Sequence, residues 1–179
     1  NGFQGLVNLG LLPAFDSLYR ERNVALTYND SGNFIDTWVN LKFNPESPCV
    51  FTRGISSMEL PVRHGEGKFY AAKKDIDLLF KSKQVVMQYA DNEGRRAQGE
   101  WPLNPNGSLE DIAGICDPTG RVFGLMPHPE AFNHFTNYPE WTRRKETLIR
   151  QGNTSLPEEG EGIKIFRNAV EYVKKTLTA

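Results

Sequence analysis

The sequence predicts an α/β domain, and its elements are those of the second half of a doubly wound domain. Three observations support this prediction: strands and helices are mixed along the chain, most neighbouring strands are hairpin-like, and only two helices are long enough to cover a sheet. A doubly wound domain has hydrophobic parallel strands at its centre and helices on both faces. Because no such central strands occur in the sequence, we predict one domain over residues 1–179 that is completed by strands N-terminal to it.

The first third of the chain alternates between one predicted helix and several predicted strands. Apolar residues at helical spacing indicate the helix, which Pro13 ends. In the longest strand, Val39, Leu41 and Phe43 alternate with polar residues, which is typical of a half-buried strand. The predicted elements are a helix at 2–12 and extended segments at 23–29, 34–43, 49–55 and 58–62.

The remaining two thirds contain two predicted helices and a clear hairpin. Ile76, Leu79 and Phe80 share one face of a predicted helix, and Asp117 begins a four-residue turn between two apolar strands. Residues 131–162 are predicted to be irregular, and an amphipathic helix closes the chain. The other predicted elements are a helix at 70–81, strands at 84–90, 111–116 and 121–126, and a loop at 99–108.

Composition excludes several classes of protein. A net charge of −1 argues against a nucleic-acid or membrane-surface partner, because such proteins usually carry clustered basic residues. No apolar run approaches the roughly 18 residues that a membrane-spanning helix needs. Cys49 and Cys116 lie in apolar surroundings and are too few for a disulfide framework, so we predict a cytoplasmic protein with buried, inert thiols. No spacing of His, Cys and Asp residues indicates a metal site.

The segment "GLMPHPEA" (124–131) contains a pair of residues suited to acid–base chemistry. In an extended chain His128 and Glu130 point the same way, so Glu130 can hydrogen-bond one imidazole nitrogen and leave the other free as a base. Pro127 and Pro129 restrict the backbone on both sides. The alternative is an ordinary histidine at a strand end beside a solvated glutamate.

The opening "NGFQGLVNLG" is typical of the segment that follows a nucleophile elbow. In such an elbow a sharp turn between strand and helix exposes the nucleophile, and the next backbone N–H stabilises the oxyanion. Asn1 would supply that N–H, and Gly2 would permit the tight turn. The nucleophile would then precede Asn1.

Six motifs together give the chain a family resemblance. It resembles the glutaminase component of phosphoribosylformylglycinamidine synthase, a class I (triad-type) glutamine amidotransferase with a flavodoxin-like α/β fold. The resemblance covers nearly all of residues 1–130. The motifs, in their order along the chain, are "NGFQGLVNLGLLP", "NDSG", "PVRHGEGKF", "WPLNPNGS", "DIAGIC" and "GRVFGLMPHPE".

The resemblance implies both an activity and its residues. The elbow of this family reads Cys-Asn-Gly-Phe-Gln, so a nucleophilic cysteine is expected immediately before Asn1. His128 would be the general base and acid, Glu130 its orienting partner, and the Asn1 backbone N–H an oxyanion donor. Gln4 would contact the substrate L-glutamine or its loop. The loop His64–Gly67, with His64 and Gly65 as its substrate-binding residues, would form a wall of the pocket or sense the synthetase. For Gln4 and His64, purely structural roles in a helix and a turn remain alternatives.

The resemblance also implies partners. Ammonia from glutamine would pass to a synthetase component, either a separate subunit or a fused domain, which converts formylglycinamide ribonucleotide with ATP and Mg²⁺. No cofactor is expected in the glutaminase domain itself. Alternative hypotheses are a non-catalytic fragment that binds the synthetase and, more weakly, a cysteine peptidase. At Asn33 the family tends to carry Arg, and residues 131–157, which exceed the family pattern, form either a synthetase interface or a surface loop.

Overall fold

The computed structural model describes residues 1–177, in which four α-helices accompany seven strands. The helices are α1 (Gly2–Asn8), α2 (Lys73–Lys81), α3 (Trp141–Arg150) and α4 (Ile163–Leu177). The strands are β1 (Val24–Thr27), β2 (Ile35–Phe43), β3 (Ser57–His64), β4 (Lys68–Ala71), β5 (Val85–Ala90), β6 (Ile112–Cys116) and β7 (Phe123–Leu125).

The strands form a five-stranded sheet and a separate two-stranded sheet. The larger sheet has the order β3-β2-β5-β6-β7, and the smaller one pairs β1 with β4. Within residues 1–177 the ladders are antiparallel, which confirms the hairpin-like strands of the prediction. The turn that begins at Asp117 joins β6 to β7 as expected. Helices and strands together confirm the α/β class.

Two apolar clusters make up most of the core. The first lies beneath α1 and α2 and includes Phe3, Val7, Phe69 and Leu79. The second lies on the β2 and β3 side of the large sheet, where the alternating residues of β2 pack against Phe132 and residues of β3 and β5. Val39, Leu41 and Phe43 are all buried there, so the predicted half-buried strand is confirmed.

Two sequence predictions in the first half of the chain are wrong. The segment 49–55 is not extended, because Val50–Thr52 forms a single 3₁₀ turn. The helix predicted from residue 70 begins at Lys73, because Lys68–Ala71 pairs with β1 as a strand. Its partner lies more than 40 residues earlier in the chain, so local periodicity does not reveal this pairing. Phe80, placed on the buried face, is 37% exposed.

The segment 131–162 is more ordered than predicted, because it contains α3. The half-buried face of α3 consists of Trp141, Arg144, Lys145 and Leu148. Because two of these four residues are charged, the sequence shows no apolar stripe that would indicate a helix. Arg144 anchors it: the guanidinium lies 3.4 Å from the Tyr138 ring centroid and bonds the Glu59 carboxylate at 2.9 Å. Phe132 and Phe135 are buried, so this segment packs on its own domain, as the surface-loop alternative requires.

The closing helix is confirmed, but its apolar face is largely exposed. Phe166, Val170 and Val173 are between 44% and 52% exposed, whereas Ile165 is the residue that enters the core. Among the helices of residues 1–177, none is both long and apolar enough to cross a membrane.

Candidate functional site

Helix α1 places the first residues of the chain beside a cavity. Asn1 is its N-cap residue, and the Asn1 carbonyl accepts the first helical hydrogen bond from the Gly5 N–H at 2.9 Å. Phe3 fixes the helix from below, because its buried ring stacks on Phe69 at a centroid distance of 6.5 Å. Gly2 and Gln4 line the cavity, and Phe3 also reaches it.

The His128–Glu130 pair is formed as predicted. The Nδ1 atom of His128 lies 2.6 Å from Oε1 of Glu130, and the His128 N–H donates to the Pro61 carbonyl at 2.8 Å. The backbone is not extended here, because Pro129 begins a 3₁₀ turn for which His128 is the N-cap. Since Glu130 occupies Nδ1, Nε2 is the nitrogen available for proton transfer. The catalytic roles of the pair remain a prediction.

One cavity of about 360 Å³ brings most of the predicted site together. Glu130 stands behind His128, outside the lining, which suits an orienting rather than a contacting role. The lining also contains Phe34, Arg63 and Glu66, of which sequence reasoning singled out only Glu66, as part of the His64–Gly67 loop. The predicted residues that line the cavity are Asn1, Gln4, His64, Gly65 and His128.

The missed lining residues come from the β2–β3 hairpin. Ile35 pairs with His64, so Phe34 and Arg63 are neighbours at the end of this ladder that opens on the cavity. Local sequence contains no signal for this arrangement, because it depends on the register between two strands.

Gln4 is tied to the opposite wall of the cavity. Its Nε2 donates to Oε2 of Glu66 at 3.0 Å and to the Leu26 carbonyl at 3.4 Å. This side chain is half-buried and lines the cavity, so it is available to a ligand while also joining α1 to the loop after β3. Its predicted contact with glutamine stays a prediction.

His64 is a buried histidine whose two nitrogens are both engaged. Nδ1 lies 3.0 Å from Oδ1 of Asn29, and Nε2 lies 3.4 Å from Nδ2 of Asn106. Burial, with a smaller contribution from the charge of His128, holds the pKa of His64 below its usual value. The ring is therefore neutral near pH 7. Both nitrogens contact asparagine side chains of the same domain, as a purely structural role for His64 requires.

Neither cysteine of the chain lies at the cavity. Cys49 and Cys116 are buried in a small third cluster with Val86, so their predicted burial is confirmed. Hydrogen bonding to Cys49 and burial together raise the pKa of the Cys116 thiol. His134 is exposed and caps a 3₁₀ turn through Thr136. Within residues 1–177 no cluster of three or more His, Cys, Asp or Glu residues is arranged to hold a metal ion.

Substituting Gly67 by alanine is expected to lower the free energy of unfolding by about 1–3 kcal/mol. A Cβ atom at this position would lie 2.5 Å from two atoms of the buried His64 ring, which has no room to move. Gly65→Ala is the matched control, because the nearest atom to its Cβ would be Phe34 Cδ2 at 3.9 Å. Urea denaturation of both variants tests this, and equal losses would contradict the predicted steric origin.

Known glutamine amidotransferases resemble this chain. The profile of the CobB/CobQ-like glutamine amidotransferase domain matches residues 1–173. A protein of Methanococcus maripaludis named phosphoribosylformylglycinamidine synthase subunit PurQ is 48% identical over 98% of this chain and 64% of its own length. Proteins of the same name from Dehalococcoides mccartyi and Archaeoglobus fulgidus are 43% and 40% identical, again over 98% of this chain, and over 62% and 61% of their own lengths. The chain thus spans somewhat less than two thirds of the length of these relatives.

A solved structure shows the same fold. The "Structure of PurLQS from Thermotoga maritima" aligns with 96% of this chain and 58% of the matched chain, at a TM-score of 0.59 and 27% identity. The class I glutamine amidotransferase fold that the six motifs implied is therefore confirmed. The chain belongs to the CobB/CobQ-like glutamine amidotransferase domain family.

Proposed function

We propose that this protein is the glutaminase of a phosphoribosylformylglycinamidine synthase, and that residues 1–179 are part of a single amidotransferase domain. One observation carries the proposal: the His128–Glu130 pair and the N-terminus of α1 meet at one cavity. A base with an orienting partner and a preorganised N–H donor are what acyl transfer from an amide requires. The PurQ relatives, 40–48% identical over nearly the whole chain, support the same reaction.

The nucleophile of the proposed reaction is a cysteine joined to Asn1. Helix α1 begins at Gly2, so a residue before Asn1 would stand at the mouth of the cavity that His128 lines. Its thiolate attacks the side-chain amide carbon of glutamine while the Asn1 N–H stabilises the oxyanion. The C–N bond then breaks, and the proton that His128 took from the thiol leaves with ammonia.

The second half of the reaction regenerates the cysteine. Water attacks the thioester carbon, His128 accepts a proton from that water, and the C–S bond breaks to release glutamate. Glu130 keeps the same imidazole nitrogen protonated throughout, so His128 exchanges protons through Nε2 alone. No cofactor takes part in these steps.

The proposal includes a partner and a compartment. A synthetase component with bound ATP and Mg²⁺ would take the ammonia and convert formylglycinamide ribonucleotide to formylglycinamidine ribonucleotide. We place both in the cytoplasm, where a cysteine nucleophile stays reduced.

Incubation of the natural-length protein with L-glutamine, alone and with its synthetase, is the direct test. We expect equimolar glutamate and ammonia, and we expect prior alkylation of the thiol to abolish both. The intact mass under denaturing conditions, before and after alkylation, counts the modified thiols, and the masses of proteolytic peptides locate them. No turnover in either condition would overturn the proposal and favour a non-catalytic protein that binds the synthetase.

A further inference from the structure

The loop Gly65–Gly67 determines the shape of two walls of the cavity. Gly65 and Glu66 line it directly, and the Glu66 carboxylate accepts the hydrogen bond from Gln4 on α1. A shift of this loop would therefore move the Gln4 amide as well as the wall beside His128. Neither glycine is held by a side chain of its own, so other residues must fix the loop.

Asn29 holds the loop from one side. Its Oδ1 accepts from the Gly67 N–H at 3.0 Å and lies 3.0 Å from Nδ1 of His64. Its Nδ2 donates to the His64 and Asn33 carbonyls, both at 2.8 Å. An asparagine amide offers two donors and two acceptor positions, so Asn29, which is 3% exposed, uses its full capacity here.

Asn106 holds the same residue from the other side. Its Nδ2 donates to the Gly67 carbonyl at 2.8 Å and to the Tyr89 hydroxyl at 3.0 Å, and lies 3.4 Å from Nε2 of His64. Its Oδ1 accepts from the Ser108 N–H at 3.0 Å, which fixes the orientation of the amide. Asn106 is 1% exposed, so these bonds form away from water, where each is costly to lose.

The two asparagines also fix the state of His64. Oδ1 of Asn29 can only accept, so His64 carries its proton on Nδ1. Its Nε2 lies 3.4 Å from the Asn106 amide nitrogen, whose two hydrogens are directed to Gly67 and Tyr89. A second proton on Nε2 would face the Asn106 amide donor. His64 is therefore a neutral spacer between the asparagines and has no free nitrogen for a substrate.

We propose that Asn29 and Asn106 are positioning residues for glutamine, which clamp the N–H and C=O of Gly67 and so fix the cavity wall. This inference rests on the proposed glutaminase function and extends it to two residues that line no part of the cavity. Sequence reasoning noted their motifs, "NDSG" and "NPNGS", without giving either asparagine a role.

Glutamine hydrolysis by the natural-length Asn106→Ala protein tests the proposal. We expect the KM for glutamine to rise about tenfold, the factor that corresponds to the loss of one net hydrogen bond, with a smaller change in kcat. Tyr89→Phe is the matched control, because it removes a bond to the same amide but leaves the Gly67 contact and the cavity lining intact. It should lower stability by less, because only one bond of the amide is lost, and keep the wild-type KM.

Hydrogen exchange at the Gly65–Gly67 amides supplies a readout independent of turnover. Exchange should quicken in Asn106→Ala and in Asn29→Ala, which removes the acceptor of the Gly67 N–H, but not in Tyr89→Phe. If Asn106→Ala fails to fold, Asn29→Ala carries the same comparison.

The outcomes separate the two proposals. An active wild-type protein whose asparagine variants keep its KM and its exchange rates overturns the positioning role alone. An equal rise of KM in Tyr89→Phe also overturns it, because the effect would then be general loosening. An inactive wild-type protein overturns the glutaminase proposal, and the role in binding glutamine fails with it.

Discussion

Replacing His128 by alanine is expected to lower kcat for glutamine hydrolysis by about 10²–10⁴-fold, the usual contribution of a positioned acid–base group. His128 is the histidine whose nitrogen faces the cavity while the other is held by Glu130. The ring transfers protons in the transition states and does not hold glutamine in the ground state, so KM should change little. Initial rates of glutamate release over a range of glutamine concentrations measure both constants.

His134→Ala is the matched control for this substitution. His134 lies six residues further along the same segment, is exposed, and bonds only to its own 3₁₀ turn, away from the cavity. It should keep wild-type kinetics. A second control supplies ammonium chloride to the complex with the synthetase: product formation by His128→Ala should return, since only the ammonia source is lost. If His128→Ala hydrolyses glutamine at the wild-type rate, His128 has no role in catalysis.

Glu130→Gln should lower kcat by less than His128→Ala does. The glutamine side chain keeps an oxygen that can accept from Nδ1 of His128 but brings no charge to stabilise the imidazolium that forms during catalysis. Unchanged kcat in this variant would show that the negative charge of Glu130 has no catalytic role.

Phe69→Ala is expected to cost about 3–5 kcal/mol of unfolding free energy, the range for removing a fully buried aromatic ring. Phe69 has no exposed surface and supports Phe3, through which α1 is held over the first core cluster. The cavity left behind would therefore lie directly beneath the residues that carry the proposed oxyanion donor. Urea denaturation, with the slope unchanged, gives the loss of stability.

Tyr70→Ala is the control for that substitution, because the next residue of β4 points to the opposite side. Its side chain is 55% exposed, so we expect a change within about 0.5 kcal/mol. Similarly small losses in the two variants would contradict the packing of Phe69 beneath α1. A loss at Phe69 alone confirms that this sheet supports α1.

The sequence by itself determined the features that depend on near neighbours along the chain. The alternation in β2, the turn at Asp117 and the spacing of His128 and Glu130 each involve residues a few positions apart. Backbone geometry restricts such residues to a few arrangements, so these predictions agree with the structure. The six motifs also sufficed to identify the family.

Tertiary structure alone decided which distant segments meet. The pairing of β4 with β1, the meeting of Phe34 and Arg63 in the cavity lining, and the clamp of Asn29 and Asn106 on Gly67 all join residues separated by 29 to 47 positions. From the local sequence alone, Asn29 and Asn106 would be expected to be exposed turn residues. They are buried because hydrogen bonds from remote backbone groups replace those to water, and that compensation exists only once the chain has folded.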